Sequence, residues 1–391
     1  MIYDRLLDLS NLLKYKSFFL FGPRASGKTS LINRQLSNAR VFDLLDMDTY
    51  ARLTREVKII EQSIQNQQEV IVIDEVQKMP SLLNEVHRLM NTYKSVRFVL
   101  TGSSARSLRK RGVNLLAGRA WQAEMFPLVS SEITDFDLVA YINKGGLPDI
   151  YSSNHPREDL RSYVNTYLKE EVQAEALTRN LSAFSHFLDA IALSNAQELN
   201  FDSLASDCGV SPVTLKNYVQ ILEDTLLGFP LPGFRKTKTR KAISRAKHYL
   251  FDLGVTNQLC KRGEIMLGSE LFGSAFEHFI ILETRAWNSY SRNYHELFYW
   301  RSTSKFEVDL IIGSLAAIEI KSTNLVQDKH LKGLRALKEE GLIKKYIIVS
   351  LDPEHRKTKD GIEIMPWDVY LQGLWGSRQE SLHWGDPLML Q

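Results

Sequence analysis

The chain has 391 residues, of which 44% are hydrophobic and 24% charged, and its formal net charge is +3. The length is too great for one ordinary domain and predicts two or three, and the composition excludes a disordered chain. The net charge is too small to indicate nucleic-acid binding by itself, so such a function would depend on local clusters of basic residues.

The cysteines and the N-terminal residues bear on the cellular compartment. Cys208 and Cys260 form no CxxC pair, which favours a reducing compartment over a zinc site or a disulfide framework. Asp4 and Asp8 stand where a secretion signal would carry a basic start and an apolar run. The apolar stretches fall short of the roughly 18 residues of a membrane span. We therefore expect a cytoplasmic protein with no membrane partner.

The first third of the chain alternates short apolar runs with helical patterns. The apolar runs predict strands at residues 17–21, 70–73 and 96–100, with a weaker one at 39–45. The helical patterns predict helices at residues 28–36, 52–65 and 82–90. Strands and helices in alternation indicate βαβ units around a parallel sheet.

A glycine-rich segment joins the first predicted strand to the first predicted helix. It has the pattern G-x-x-x-x-G-K-T and consists of Gly22, Pro23, Arg24, Ala25, Ser26, Gly27, Lys28 and Thr29, followed by Ser30. Glycine permits the tight turn that points backbone N–H groups at a phosphate, and the helix presents its positive end. In this P-loop pattern Lys28 reaches the β- and γ-phosphates and Thr29 coordinates Mg²⁺. The predicted ligands are ATP and Mg²⁺.

Two acidic residues follow the apolar run at 70–73. A strand buried on both faces would deliver Asp74 to the carboxyl end of the sheet, beside the P-loop. We expect Asp74 to hold Mg²⁺ and Glu75 to polarise the attacking water. An acidic pair after a strand is common, but together with the P-loop it predicts hydrolysis as well as nucleotide binding.

Five segments together resemble a family of prokaryotic AAA-type ATPases. They are residues 22–29, 74–80, 101–104, 116–119 and 125–128. In this family an AAA domain precedes a C-terminal domain of unknown function, DUF4143, and the resemblance covers nearly the whole chain, thinning after about residue 370. It implies an AAA+ fold and assembly of a homo-oligomer, as a ring or a dimer.

The resemblance also suggests a γ-phosphate sensor and an arginine that acts between subunits. A polar residue after the strand at 96–100 senses the γ-phosphate in AAA-type ATPases, which points to Ser103 or Ser104, although either hydroxyl could simply cap a helix. Arg119, and after it Arg106, are candidates for the arginine that neutralises charge on a neighbouring subunit's nucleotide. Either is also compatible with an ordinary solvated arginine.

The middle of the chain, from about residue 156 to 227, has helical patterns and then a Pro/Gly-rich break at 228–233. Residues 204–219 have the pattern of a helix-turn-helix, with Gly209 in the turn, Ser211 as N-cap and Pro212 at the first helical position. We expect the second helix to bury Val213, Tyr218, Ile221 and Leu222. We expect it to expose Thr214, Lys216, Asn217 and Gln220. Such a pair serves either nucleic-acid recognition or packing alone.

Residues 234–247 contain seven basic residues and no acid. Phosphate backbones attract such clusters in a salt-dependent way, although most charge runs are solvated faces or linkers. The neighbouring helix-turn-helix favours DNA as a partner. A smaller basic cluster lies at residues 106–111.

The C-terminal part returns to alternating strands and helices, with strands predicted at residues 297–300, 306–312, 316–320 and 346–350. The pattern D-x₉-E-x-K, formed by Asp309, Glu319 and Lys321, resembles the PD-(D/E)xK nuclease core. The family places another acid on a preceding helix, which matches Glu277 in a helix predicted at 274–287. Carboxylates can hold Mg²⁺ and the lysine can stabilise a hydroxide. We expect Glu307 to point away from Asp309, which makes it a weaker candidate for a ligand.

The predicted fold is α/β with three parts. They are a P-loop AAA+ parallel-sheet domain at residues 1–150, a helical linker with a winged helix or helix-turn-helix at 151–233, and a restriction-endonuclease-like domain at 234–391. The predicted function is Mg²⁺-dependent ATP hydrolysis coupled to DNA binding or processing. The alternative is an ATP-driven switch or interaction protein whose C-terminal domain docks partners without cutting.

Overall fold

A computed structural model of the chain describes residues 3–65, 69–104, 116, 118–168 and 181–376. Its N-terminal part contains a five-stranded parallel sheet in the order β2-β3-β4-β1-β5. The strands are β1 (Ser17–Phe21), β2 (Arg40–Asp43), β3 (Val70–Asp74), β4 (Arg97–Gly102) and β5 (Ala120–Glu124). The helices are α1 (Leu9–Tyr15), α2 (Lys28–Gln35), α3 (Met47–Arg55), α4 (Ile59–Gln62) and α5 (Leu82–Thr92).

Both faces of this sheet are covered, because the side chains of each strand alternate between two cores. In β1, Phe19 and Phe21 pack into one core while Phe18 and Leu20 pack into the other. The predicted parallel α/β core is thus confirmed. The single helix predicted at 52–65 is wrong, because Glu56 adopts an extended backbone conformation that separates α3 from α4.

The middle of the chain packs its helices around a core of its own. They are α6 (Leu138–Lys144), α7 (Pro148–Tyr151), α8 (Pro156–Ser162), α9 (Leu181–Leu193), α10 (Phe201–Asp207), α11 (Pro212–Asp224) and α12 (Leu253–Leu259), with a π-helical turn at Tyr163–Leu168 after α8. A small antiparallel sheet, in the order β6-β8-β7, joins them; it consists of β6 (Gln197–Glu198), β7 (Gly228–Leu231) and β8 (Lys247–Leu250).

The turn between α10 and α11 has the predicted features. Gly209 has a φ of +63°, and the Ser211 side chain caps α11 by accepting from the Thr214 backbone N–H. Tyr218, Ile221 and Leu222 are buried as expected. Val213 is 69% exposed, so its predicted burial is wrong; it lies in the first turn of α11, where the helix core contacts begin only at Leu215.

The residues predicted as a Pro/Gly-rich break include strand β7, whose Leu231 pairs with Lys247 of β8. The expected domain boundary at 233 and 234 therefore falls inside the loop that joins two paired strands. That loop carries the basic residues of 234–247 except Lys247, which is the first residue of β8.

The C-terminal part is a six-stranded mixed sheet in the order β13-β14-β12-β11-β10-β9. The strands are β9 (Leu297–Arg301), β10 (Glu307–Ile312), β11 (Ala316–Lys321), β12 (Lys345–Ser350), β13 (Arg356–Lys357) and β14 (Glu363–Pro366). The helices are α13 (Glu270–Tyr290), α14 (Lys332–Lys338) and α15 (Trp367–Trp375). Because α13 begins at Glu270, Glu277 lies two turns into the helix rather than near its start.

The parts of the chain share an apolar core. Leu128, Tyr141 and the α13 residue Phe279 belong to one cluster, and the buried Glu283 of α13 accepts hydrogen bonds from the N–H and hydroxyl of Ser130. The segment that follows the parallel sheet is therefore packed directly against α13. Within the described part of the chain, no helix has both the length and the apolar character to cross a membrane.

Candidate ATPase site and carboxylate cluster

The P-loop connects β1 to α2 at the carboxyl edge of the parallel sheet. Gly27 has a φ of +93°, in the region that glycine adopts without strain. A side chain at Gly22 would come within 2.5 Å of the Met125 carbonyl oxygen, so both glycines are needed for this close turn. The loop backbone can therefore surround a phosphate as the motif predicts.

The two functional side chains at the start of α2 already have partners. The Lys28 ammonium donates to the carbonyl oxygens of Gly22 and Pro23 at 2.8 and 3.0 Å. The Thr29 hydroxyl donates to the Asp74 carboxylate at 3.0 Å. Ser26 Oγ is buried and has no hydrogen-bond partner among the described residues. An unsatisfied hydroxyl inside the loop fits a phosphate ligand, so the residues present suit ATP, with Thr29 and Asp74 as the holders of Mg²⁺.

Asp74 is held from the side of β4 as well. The Thr101 hydroxyl donates to Asp74, and the backbone N–H of Glu75 donates to Thr101 at 3.1 Å. Glu75 has a φ of +58°, which turns its side chain sharply at the end of β3. Thr101 thus links the two acids of the site, and it lies in the 101–104 segment that contributes to the family resemblance.

Gln77 connects Glu75 to the predicted sensor strand. Its side-chain amide donates to the Glu75 carboxylate and, at 3.3 Å, to the Ser103 hydroxyl. Ser104 turns elsewhere, because its hydroxyl donates to the Asp224 carbonyl oxygen of α11 at 3.1 Å. Of the two serines considered as sensors, Ser103 is the one connected to Glu75.

A cavity of about 310 Å³ opens beside the P-loop. Besides loop residues and Glu75, its lining includes residues that the motif did not suggest, namely Tyr3, Arg34, Pro148 and Asp149. Pro148 and Asp149 begin α7 and follow the loop by about 120 residues in the chain, so no local sequence pattern connects them to it. Tyr3 and Arg34 are nearer to the loop in the chain but lie outside its motif.

Arg5 also lines this cavity and is nearly buried. Its guanidinium donates to the Ser26 carbonyl at 2.7 Å and the Phe126 carbonyl at 2.6 Å, and it forms a 2.8 Å ion pair with Glu132. The Tyr290 hydroxyl at the end of α13 lies 3.4 Å from the same guanidinium. Arg5 therefore joins the P-loop to the C-terminal part.

Arg119 lies away from the P-loop of its own chain. It immediately precedes Ala120, which pairs with Ser17 at the amino end of the parallel strands, whereas the P-loop follows the carboxyl end. Its guanidinium donates to the Asn91 side chain at 3.1 Å and is exposed. The structure therefore does not bring Arg119 to the P-loop of its own chain. Arg106 and the basic cluster around it lie outside the described residues.

In the C-terminal sheet, Asp309 and Glu319 face each other across neighbouring strands. Leu310 pairs with Ile318, and one further step of this antiparallel register sets Asp309 opposite Glu319. The Lys321 ammonium lies 2.6 Å from Glu319 and 3.5 Å from Asp309. Burial raises the pKa of Glu319 well above its ordinary value, and Asp309 raises it further. The structure thus brings these three predicted residues together.

Glu277 is connected to the acids of the C-terminal sheet through Lys247, a lysine that the motif did not include. The Lys247 ammonium, at the start of β8, lies 3.3 Å from Glu277 and 2.7 Å from Glu307. The Tyr249 hydroxyl donates to Glu277 at 2.7 Å. Burial alone would lower the pKa of Lys247, but the nearby carboxylates raise it above its ordinary value.

The position of Glu307 corrects an expectation. The sequence predicts that Glu307 points away from Asp309, but the two residues stand two apart in β10, and side chains two apart on a strand share a face. Glu307 shares the Lys247 ammonium with Glu277. We call Glu277, Glu307, Asp309 and Glu319 the carboxylate cluster.

The carboxylate cluster does not fit a divalent ion as it stands. Among the described residues, no group of three or more His, Cys, Asp and Glu side chains is arranged to hold a metal. Two ammonium groups, those of Lys247 and Lys321, occupy the space between the acids instead. The buried Oε2 of Glu319 has no hydrogen-bond partner in the described part of the chain.

The basic loop at 234–247 lies along the exposed edge of this sheet. The Phe234 N–H donates to Tyr299 and the Ile243 N–H to Arg301, both in the edge strand β9. Glu340 accepts from the backbone N–H groups of three consecutive residues of the loop, Lys238, Thr239 and Arg240. The loop is therefore anchored rather than free, while the side chains of Arg235, Lys236, Lys238, Lys241 and Arg245 are exposed.

Family models match three consecutive segments. Residues 14–134 match an AAA domain, residues 135–265 the domain of unknown function DUF8612, and residues 272–370 the domain of unknown function DUF4143. The chain is also 25% identical over 337 residues to the uncharacterized protein MJ1544 of Methanocaldococcus jannaschii, which covers 77% of this chain and 73% of that protein.

Two solved structures are similar at low scores. Drosophila ORC bound to GC-rich DNA and Cdc6 matches with 12% identity and a TM-score of 0.22, covering 65% of this chain and 88% of that one. The Bacillus subtilis DNA clamp loader delta protein YqeN matches with 15% identity and a TM-score of 0.23, covering 56% and 88%. The family models show that the chain contains an AAA-type ATPase domain followed by a C-terminal DUF4143 domain.

Proposed function

We propose that the chain hydrolyses ATP in a Mg²⁺-dependent reaction. The observation that carries this proposal is the hydrogen-bonded series beneath the P-loop, which runs from Thr29 through Asp74 and Thr101 to the Glu75 N–H. It holds a Mg²⁺-binding hydroxyl and carboxylate next to a second acid, at the edge where the phosphates bind. Bound Mg²⁺ would supply charge neutralisation on the β- and γ-phosphates.

The side chains of the site then have separate roles in ATP hydrolysis. Lys28 exchanges its two carbonyl partners in the loop for phosphate oxygens, an exchange that charge-assisted hydrogen bonds favour. Glu75 orients the attacking water and accepts its proton, and Gln77 sets the direction of the Glu75 carboxylate. Ser103, bonded to the same amide, is placed to respond to the γ-phosphate.

Two substitutions test the ATPase proposal. Lys28→Ala removes charged hydrogen bonds worth ~1.5–3 kcal/mol each, so nucleotide affinity should fall at least about tenfold. Glu75→Gln removes the base, so kcat should fall by ~10²–10⁴ while ATP still binds. Fluorescent-nucleotide titration and phosphate release measure the two effects. Asp48→Asn, at the exposed start of α3, is the matched acid control. Normal turnover by Glu75→Gln would refute its role.

We further propose that ATP hydrolysis is coupled to DNA binding. The succession of α9, β6, α10, α11, β7 and β8 has the chain order of a winged helix, with α11 as recognition helix and the basic loop as the wing. Lys216, Asn217 and Gln220 are exposed on α11, and five basic side chains are exposed on the loop. Exposed hydrogen-bonding and basic groups on adjacent elements support a role of this segment in DNA binding.

Fluorescence anisotropy with a labelled duplex tests the coupling. We expect binding at low salt, and an affinity that changes when a non-hydrolysable ATP analogue is added. No binding at low salt would refute the DNA proposal and leave the ATPase proposal standing.

For the C-terminal part, we favour the alternative of a nuclease-like domain that does not cut in this arrangement. The Lys247 ammonium supports it, because this cation lies outside the nuclease motif and already pairs with two carboxylates of the cluster, Glu277 and Glu307. Supercoiled plasmid with Mg²⁺ or Mn²⁺ is expected to stay intact. Cleavage that Asp309→Ala and Lys321→Ala both abolish would instead establish a nuclease.

A further inference from the structure

Lys247 differs from the other basic residues of its loop. The side chains of Lys236, Lys238 and Lys241 are exposed, whereas Lys247 is only 6% exposed. Its ammonium lies between Glu277 and Glu307 and 5.3 Å from the centre of the Tyr299 ring. A buried ammonium is costly unless carboxylates compensate it, and here they do. Its position therefore depends on the carboxylate cluster, rather than on solvent or a polyanion.

The charges of the cluster are divided between two lysines. Lys321 pairs with Glu319 and Asp309, while Lys247 pairs with Glu277 and Glu307. Mg²⁺ and Mn²⁺ prefer several carboxylate or water oxygens around one point. Lys321 belongs to the D-x₉-E-x-K pattern, in which a lysine stands beside the metal-binding acids, whereas Lys247 is an additional cation held by two acids of the cluster.

One acceptor in the cluster still lacks a donor. Glu319 Oε1 lies 2.6 Å from the Lys321 ammonium, but the buried Oε2 has no partner among the described residues. The side chain of Glu319 is 9% exposed. An unsatisfied buried carboxylate oxygen is unfavourable, and a cation is the partner that would relieve it most.

We propose that Lys247 is a built-in cation for the carboxylate cluster and that its ammonium keeps a divalent ion out. Lys247 does not belong to the C-terminal sheet. It lies in β8, whose backbone pairs with Leu231 of β7 and Glu198 of β6 in the middle part. Metal access to the cluster is therefore governed by the middle part, through the strand at the end of the basic loop. One part of this inference, the choice of a divalent metal as the excluded ion, rests on the proposed nuclease-like architecture.

The test is Mn²⁺ binding by the intact, nucleotide-free chain, measured as loss of the free-ion EPR signal. The parent is expected to show no Mn²⁺ binding that depends on Asp309. Lys247→Gln, which removes one positive charge and keeps a polar side chain, should gain one Mn²⁺ site at least about tenfold tighter than any in the parent. Asp309→Asn in the Lys247→Gln background should abolish that site.

Lys241→Gln is the matched control, since it makes the same change at an exposed position of the same loop and should leave Mn²⁺ binding as in the parent. Two results would overturn the proposal: a parent site that Asp309→Asn removes, or a Lys247→Gln chain that gains no site. If Lys247→Gln does not fold without metal, Mn²⁺ should restore its thermal transition, and no restoration counts against the proposal. ATP turnover by the parent, compared with Lys28→Ala, tests the ATPase proposal separately.

Discussion

The hydroxyl of Ser104 donates to the backbone carbonyl of Asp224 at 3.1 Å, which joins the end of β4 to the last residue of α11. The preceding residue, Ser103, is hydrogen-bonded through Gln77 to Glu75. Adjacent residues of one strand end thus contact the ATPase site and the proposed recognition helix. A shift of this strand end by the γ-phosphate would be passed directly to α11.

Ser104→Ala should therefore weaken the coupling between ATP and DNA. Couplings of this kind typically amount to ~1–3 kcal/mol, and we expect the ratio of DNA affinities with and without ATP analogue to move towards one. Anisotropy titrations in both nucleotide states measure that ratio. Ser10→Ala, which removes another serine hydroxyl bonded to a carbonyl, that of Gln35, is the control. An unchanged ratio in Ser104→Ala would show that the contact carries no coupling.

Arg119 is predicted to act on the nucleotide of a neighbouring subunit. Arg119→Ala should lower kcat by about 10³-fold and leave ATP binding intact, since such an arginine acts on the transition state. Mixing Arg119→Ala with Lys28→Ala protein should restore part of the turnover, because each supplies what the other lacks. Arg292→Ala removes another arginine near β5 as a control. Normal turnover by Arg119→Ala alone would exclude the role.

The exposed lysines of the basic loop are predicted to contact phosphates. Replacing Lys236, Lys238 and Lys241 with glutamine should weaken DNA binding across sequences. It should also reduce the slope of log K against log salt by about 0.9 for each lysine that contacts a phosphate. Lys94→Gln, an exposed lysine before β4, should change neither quantity. A salt slope equal to that of the parent would place the DNA contacts elsewhere.

We predict that Arg5 stabilises the folded protein in addition to holding the P-loop in position. Glu132, its partner in the 2.8 Å ion pair, is fully buried, so Arg5→Ala leaves an uncompensated charge and should cost ~3–5 kcal/mol. Arg34→Ala breaks the exposed pair with Asp4 and should cost only ~0–1 kcal/mol. Urea unfolding monitored by circular dichroism compares the two. Equal effects would mean that the Arg5 contacts contribute little.

His248 is predicted to make the fold acid-sensitive. It is 2% exposed, and burial lowers the pKa of its imidazole to about 4. The unfolded histidine binds a proton below about pH 6.5, so the neutral ring's contribution is present above that pH and is lost as the pH falls towards 4. Over that range the parent should lose about 3 kcal/mol more unfolding free energy than His248→Leu.

Urea unfolding at several pH values between 7.5 and 4 measures this difference. His155→Leu, which removes an exposed histidine, should follow the parent. Parallel stability curves for the parent and His248→Leu would contradict the prediction.

Local patterns predicted much of the ATPase part. Strands β1, β3 and β4 could be predicted from their apolar runs, because a strand buried on both faces is continuously apolar. The P-loop could be predicted as well, because a phosphate-binding loop requires glycine. Strand β5 was missed, since its side chains at Ala120, Trp121 and Gln122 are partly or fully exposed and have no apolar run.

The sequence by itself determined the chemistry that neighbours along the chain can carry: the P-loop with Lys28 and Thr29, the acids after β3, and the D-x₉-E-x-K pattern in two adjacent strands. Tertiary structure alone decided which distant residues complete these sites. Arg5 reaches the P-loop, Ser104 reaches α11, and Lys247 enters the carboxylate cluster across separations that no local period records. Such contacts depend on packing between elements, whereas sequence patterns record only the period within each one.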